Sequence, residues 1–197
     1  MLRNEKTKNV QGERKQARLD LPSRRHRYTK SFSLALSAMM LVLVFVPFDP
    51  KDIGLRLNAL SSYLSYWSHG NLTYPFFHTN ILHWLLNVWC FLSCVFLADM
   101  SFRKLLLAYL VACSVPALSA TPTIGLSGVC FALLGMTMWQ SADKRTYNIT
   151  IGVTVLSMVA LCPKAVNNIL HIYCYLLGVA AVPAYNGLRR LTRSHNS

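Results

Sequence analysis

The chain has 197 residues, 53% of them hydrophobic and 14% charged, with a net charge of +13. This is the composition of an integral membrane protein. The charge alone would suit a nucleic-acid binder, but ten of the twenty Lys/Arg fall in residues 1–30, which have almost no large apolar residues to fold around. That placement fits a disordered cytoplasmic tail lying against anionic lipid headgroups, with no nucleic acid as partner.

Apolar segments follow at roughly 32–48, 79–98, 105–120, 124–140, 147–163 and 167–187, separated by short stretches carrying Pro, Gly, Asn or charge. Their number predicts an all-α bundle of six transmembrane helices. The first segment is expected to be an uncleaved span, because its basic leader is about thirty residues long and no small-residue cleavage site is visible. With the N-terminus inside, 17 of the 20 Lys/Arg lie on the cytoplasmic side and only Lys51, Arg56 and Lys164 lie outside. Both termini are therefore expected in the cytoplasm.

The expected organisation is a tail over 1–30, one membrane domain over 31–188 and a short basic tail over 189–197. The connection 49–78, with its leucines and aromatics, reads as a structured loop in the outer headgroup region. Cys90, Cys94, Cys113, Cys130 and Cys174 lie within apolar segments and Cys162 near the end of one, with no CxxC spacing. Neither a disulfide framework nor a cysteine metal site is expected.

Polar side chains within spans are costly and tend to face a bundle interior or a water-filled cavity. The informative ones are His78, His83 and Asn87 in "HTNILHWLLNVW", Ser127 in "GLSG" and His171 in "NNILHIYCYLLG". Segments two, four and six all run from outside to inside, and His83, Ser127 and His171 each lie near the start of theirs. They are expected to share one depth near the outer leaflet. His83 and Asn87 are four residues apart and project from one helix face. The fourth segment is short, about 24 Å for a core of about 30 Å, so Ser127 needs a water-accessible cavity.

A serine hydroxyl becomes a nucleophile when a base takes its proton, and an imidazole does this near neutral pH. His171 is the candidate base, while His83, Asn87 and the Ser127 amide are candidate donors to a tetrahedral oxyanion. A carboxylate to hold the histidine is missing, since Asp99 and Asp143 lie at cytoplasmic ends and Asp49 and Asp52 in the outer loop. A Ser–His dyad is the expectation, with Phe131, one turn after Ser127, able to hold the imidazole by stacking. Gly125 permits an unusual backbone at the helix entry, and Gly128 and Gly135 allow a neighbouring helix to come close.

Three other readings compete. Small residues with serine often serve only to pack helices, and membrane histidines often bond only across helices. A zinc site from His78, His83 and His171 is disfavoured by the five-residue spacing of the first two and the lack of HExxH or a general-base Glu. Transport lacks a mid-span acidic residue.

These residues resemble the rhomboid intramembrane serine proteases, in their six-helix basic form. "HTNILHWLLN" resembles the second-helix pattern of His, four residues, His, three residues, Asn. "GLSGVCFALLG" is similar to the nucleophile motif, and "HIYCYLLG" to the sixth-helix histidine followed seven residues later by glycine. The resemblance spans roughly 49–187. It implies Ser127 as nucleophile, His171 as base, His83 and Asn87 in the oxyanion role, His78 supporting the outer end of the site and Phe131 stacked on His171. It also implies an extracytoplasmic active site, no metal or cofactor, and transmembrane protein substrates cut in or near spans that unwind easily.

The Trp–Arg pair of the family's first outer loop is not evident in "SYWSHGNLTYPFFH", and Asp99 stands where glutamate is common. Ile169, Leu170 and Cys174 stand where the family often has small residues, which bears on how closely helices four and six approach. A bacterial inner membrane fits a compact six-helix chain. The alternative within the family is an inactive rhomboid-like protein that binds client transmembrane segments.

Overall fold

A computed structural model of the chain describes residues 26–47, 72–114, 123–161 and 167–194. The N-terminal tail up to residue 25, most of the connection 49–78, Cys162 and residues 195–197 lie outside the described residues. Among the described residues there are six α-helices and no strand element: α1 (Arg27–Val44), α2 (Ile81–Leu97), α3 (Phe102–Ser114), α4 (Ser127–Thr137), α5 (Lys144–Leu161) and α6 (Asn168–Ser194). Two short 3-10 turns, Tyr74–Phe76 and Met138–Gln140, precede α2 and follow α4.

The ends of several helices differ from the apolar segments, because hydrophobicity and helicity do not stop at the same residue. Helix α1 takes in Arg27–Lys30, and α6 continues through the "LRRLTRS" stretch to Ser194. Leu and Arg are good helix formers, so both helices extend past their apolar parts. Helix α4 is α-helical for only 11 residues before it tightens into the Met138–Gln140 turn. By length and composition, Asn168–Leu188 of α6 is the one stretch among the described residues able to cross a membrane alone, and α2 is a shorter apolar helix.

Asparagine and aspartate set several helix starts. Asn80 accepts from the His83 N–H at 2.8 Å to cap α2, and Asn167 accepts from the Leu170 N–H at 3.1 Å to cap α6. Asp143 caps α5 by accepting from the Arg145 and Thr146 N–H groups and the Thr146 hydroxyl. That hydroxyl is the main reason its carboxyl lies below the usual carboxylate range, with the N–H of Thr146 and then Arg145 adding to it.

Helix α4 is the centre of the bundle. Eight of its eleven residues are buried, and α2, α3 and α6 surround it. Its closest neighbour is α6, where two glycines are used reciprocally. A Cβ at Gly135 would collide with the carbonyl of Tyr175, and a Cβ at Gly178 with the carbonyl of Ala132. The backbones therefore touch, which side chains larger than hydrogen would prevent. The larger residues near His171 do not hold α4 and α6 apart: Leu170 and Cys174 are buried, while Ile169 is exposed. Contact is made one to two turns further along α6, at Gly178.

Pro183 lies inside α6 and has no N–H to give the carbonyl of Val179. Trp139 Nε1, from the turn after α4, donates to that carbonyl at 2.8 Å. On the other side, α1 packs on α2 through Thr29, Ser33, Ser37 and Met40, while Phe32, Leu34, Met39 and Val42 face outward. The Ser33 and Ser37 hydroxyls each bond the carbonyl four residues back, and the Ser37 carbonyl accepts from Trp84 Nε1. Small hydroxyl residues inside and large apolar ones outside invert the usual pattern of a helix in water.

Candidate active site

The site is built around the backbone that enters α4. Gly125 has φ +115, a conformation in which an L side chain is strained. Its N–H donates to the Tyr74 carbonyl at 2.9 Å, and the next N–H, of Leu126, donates to His78 Nε2 at 3.4 Å. Ser127 follows as the first residue of α4 and is half-buried. A helix-start N–H has no intrahelical acceptor, so the Ser127 amide is available to an anion.

From α2, His83 and Asn87 converge on this turn. Thr79 Oγ1 lies 3.2 Å from His83 Nδ1. The other ring nitrogen, Nε2, would stand 2.7 Å from a Cβ at Gly125, and Asn87 Nδ2 would stand 3.3 Å from it. Asn87 Nδ2 is buried with no hydrogen-bond partner. An unmet buried donor costs stability. At the turn that leads into Ser127, such a donor is also a group that an anion would satisfy.

From α6 comes His171, which is 3% exposed. Its ring is stacked on Phe131 with centroids 4.3 Å apart and planes 10° apart. Phe131 is one turn after Ser127, and helical side chains lean towards the preceding turn. The imidazole is thereby held against the face of α4 that Ser127 heads. His171 Nδ1 is buried without a partner, and among the described residues no hydrogen bond joins Ser127 to His171.

The tetrapeptide "NILH" opens both α2 and α6, yet in different registers. In α2 its Asn80 is the cap, placing His83 third in the helix; in α6 the cap is the preceding Asn167, placing His171 fourth. One residue is about 100° of helix rotation, so the two histidines are turned differently relative to their caps. The result is a half-buried His83 and a buried His171.

His78 is fully buried and meets His83 edge-on, with centroids 5.1 Å apart. Burial first, and then the proximity of His83, lower its pKa to about 4. It is therefore a neutral acceptor for the Leu126 N–H. With His78 Nε2 so engaged and Nδ1 of His83 beside Thr79, the histidines are not arranged as a common ligand set. Among the described residues no group of three or more His, Cys, Asp or Glu is placed to hold a metal ion.

At Gly128 the nearest group is the Tyr74 hydroxyl, 2.7 Å from where a Cβ would stand, which itself donates to the Ala112 carbonyl at 3.0 Å, and helices α3 and α6 also come close. Ala112 Cβ and Cys174 Sγ lie behind it, each 3.4 Å from that Cβ. Tyr74 and the Asn167–Thr123 bond (2.9 Å) are the supports the sequence reading missed. Asn167 was findable as an Asn preceding an apolar run. Tyr74 carries no local signal, since its role depends on contact with segments far along the chain.

The model of the Rhomboid domain family matches residues 64–185. No curated protein matches the chain. Rhomboid proteins are integral membrane proteins and generally serine proteases. The match covers well over half of the chain and takes in all of the residues that converge at the head of α4, so the chain belongs to the rhomboid family.

Proposed function

We propose that the chain is an intramembrane serine protease that hydrolyses peptide bonds in or near transmembrane segments with Ser127 as nucleophile and His171 as general base. The observation that carries this is the stack of His171 on Phe131, which brings a buried imidazole to the helix face headed by a half-buried serine. In the first step Ser127 Oγ attacks the scissile carbonyl as His171 takes its proton. His83 Nε2, Asn87 Nδ2 and the Ser127 N–H then donate to the oxyanion. His171 returns the proton to the leaving amine, and a water repeats the sequence to release the acyl group. The Phe131 stack replaces the missing carboxylate in orienting the base. Gly125 and Gly128 shape the turn, and His78 holds its outer side.

The same reading places six spans in the membrane with both termini cytoplasmic, the site opening on the extracytoplasmic side of a bacterial inner membrane. The basic tails at 1–30 and 189–197 flank a single membrane domain, 31–188, along the chain and both lie against anionic lipid headgroups on the cytoplasmic side. Substrates are membrane proteins whose spans unwind readily.

The absence of a Ser127–His171 hydrogen bond favours a second reading, an inactive relative that holds client transmembrane segments. Labelling of detergent-solubilised protein with a fluorophosphonate separates the two. The protease reading expects labelling of wild type that is lost in Ser127→Ala and His171→Ala. Folded wild-type protein that stays unlabelled contradicts it.

A further inference from the structure

His83, Asn87, Cys90 and Cys94 follow one another along α2 at spacings of four, three and four, and so line one face. The first two belong to the candidate active site, whereas the thiols have no part in it. Opposite them on α4 is Cys130, three residues after Ser127, whose Sγ donates to the Asn87 carbonyl at 3.3 Å. In a helix a main-chain carbonyl lies beside the side chain three residues further on, so the Cys130 thiol on the Asn87 carbonyl is brought to the turn of α2 that carries Cys90. All three are free thiols. Cys94 and Cys130 are buried, and Cys90 is half-buried next to Trp89, which is exposed on the outer surface of α2.

We propose that Cys90 and Cys130 are a reversible redox site whose oxidation ties α2 to α4 directly beneath Asn87. Cys90 and Cys94 sit one turn apart on the same helix with roughly parallel Cα–Cβ bonds, a poor geometry for bridging. Cys130 instead approaches from the facing helix and meets α2 at the Asn87 carbonyl, one turn before Cys90. In the oxidation both S–H bonds break and one S–S bond forms. The two electrons and two protons pass to a lipid-soluble quinone, which becomes the quinol. Such an oxidant reaches Cys90 from the lipid side.

Oxidised Cys130 has no proton to donate, so the Asn87 main-chain carbonyl loses the thiol bond while the S–S tie one turn below resets how α2 presents the Asn87 side chain to the Gly125 turn. The effect on reactivity rests on the proposed role of Ser127; the existence of the thiol pair does not.

The test uses the full-length protein in lipid nanodiscs, treated with tetramethylbenzoquinone, whose fully substituted ring resists thiol addition. Peptide mapping by mass spectrometry follows the bridge, and fluorophosphonate labelling follows Ser127. The expected result is a Cys90–Cys130 bridge with labelling slowed about tenfold, corresponding to about 1.4 kcal/mol of lost stabilisation, and restored by a lipid-soluble phosphine. Cys90→Ala and Cys90→Ser are expected to label at the untreated rate and ignore the quinone, while Cys94→Ala responds as wild type.

No bridge, or a bridge through Cys94, overturns the assignment. A Cys90–Cys130 bridge with unchanged labelling overturns its effect on the site. Reduced protein that never labels counts against the serine mechanism alone, and the map still decides the thiol pair.

Discussion

Helices α4 and α5 adjoin in sequence and are both largely apolar, yet they occupy opposite situations. Helix α4 is wrapped by α2, α3 and α6, and its small residues let α6 come to backbone contact. Helix α5 packs mainly against α6 and the turn after α4. Its hydroxyls at Thr150, Thr154 and Ser157 bond carbonyls of α5 itself. Its polar ties to the bundle are near its start, where Tyr147 donates to the Leu134 carbonyl at 2.8 Å and Asn148 accepts from the Tyr175 hydroxyl. The contrast shows what locates the candidate site: at the head of the helix with neighbours on every side, groups from three chain segments can be brought to one serine.

Glycines make that contrast testable. The largest expected effect is at Gly178: Gly178→Ala drives a methyl into the backbone of α4, and overpacking of this kind costs about 1–3 kcal/mol or more. Loss of monodisperse protein or a large fall in melting temperature in detergent is the expected readout. Gly125→Ala comes next, since it combines the strained φ with a clash against His83. A cost of about 1–3 kcal/mol is expected, together with fluorophosphonate labelling near background. Wild-type behaviour of either variant would break the picture of a tightly wrapped α4.

Two predictions probe the histidines. Phe131→Leu removes the aromatic stack, worth about 0.5–1.5 kcal/mol, and should slow Ser127 labelling by up to about tenfold, whereas Phe131→Tyr should retain it. Labelling that is equal in the leucine variant would assign Phe131 to packing alone.

His78 gives a pH dependence. Its pKa is lowered from 6.5 to about 4 in the fold, so the unfolded chain takes up a proton that the folded one refuses. The His78 contribution to stability is intact above about 6.5 and is lost as pH falls through that window towards about 4. Melting temperature followed from pH 7.5 down to about 4 should decline over this range, and less steeply in His78→Asn. The smallest effect belongs to α5: Gly152 has nothing within 4 Å of a Cβ, so Gly152→Ala should raise stability by about 0.5–1 kcal/mol through helix propensity alone.

Much of this arrangement was legible because it depends on periodicity and polarity. Six apolar runs foreshadow six helices, and a histidine, a serine and a second histidine near the starts of alternate runs identify the residues to examine. The exact helix ends were not legible, because propensity carries α1 and α6 beyond their apolar parts and shortens α4 into a 3-10 turn. Long-range supports were also hidden. The Tyr74 carbonyl under Gly125, the Asn167–Thr123 bond and Trp139 on the carbonyl freed by Pro183 are pairings of segments far apart in the chain, with no local pattern. The closeness of α4 and α6 turned on Gly178, while attention to the bulk of Leu170 and Cys174 pointed the other way.

The most direct test of the account is treatment of the folded protein with a 4-chloroisocoumarin, followed by peptide mapping of the adduct. Acylation by the serine unmasks an electrophile that alkylates a nucleophile beside it. The account predicts one inhibitor bound to both Ser127 and His171 in the same molecule. An adduct at another serine, or none at all in protein that remains folded, would contradict it.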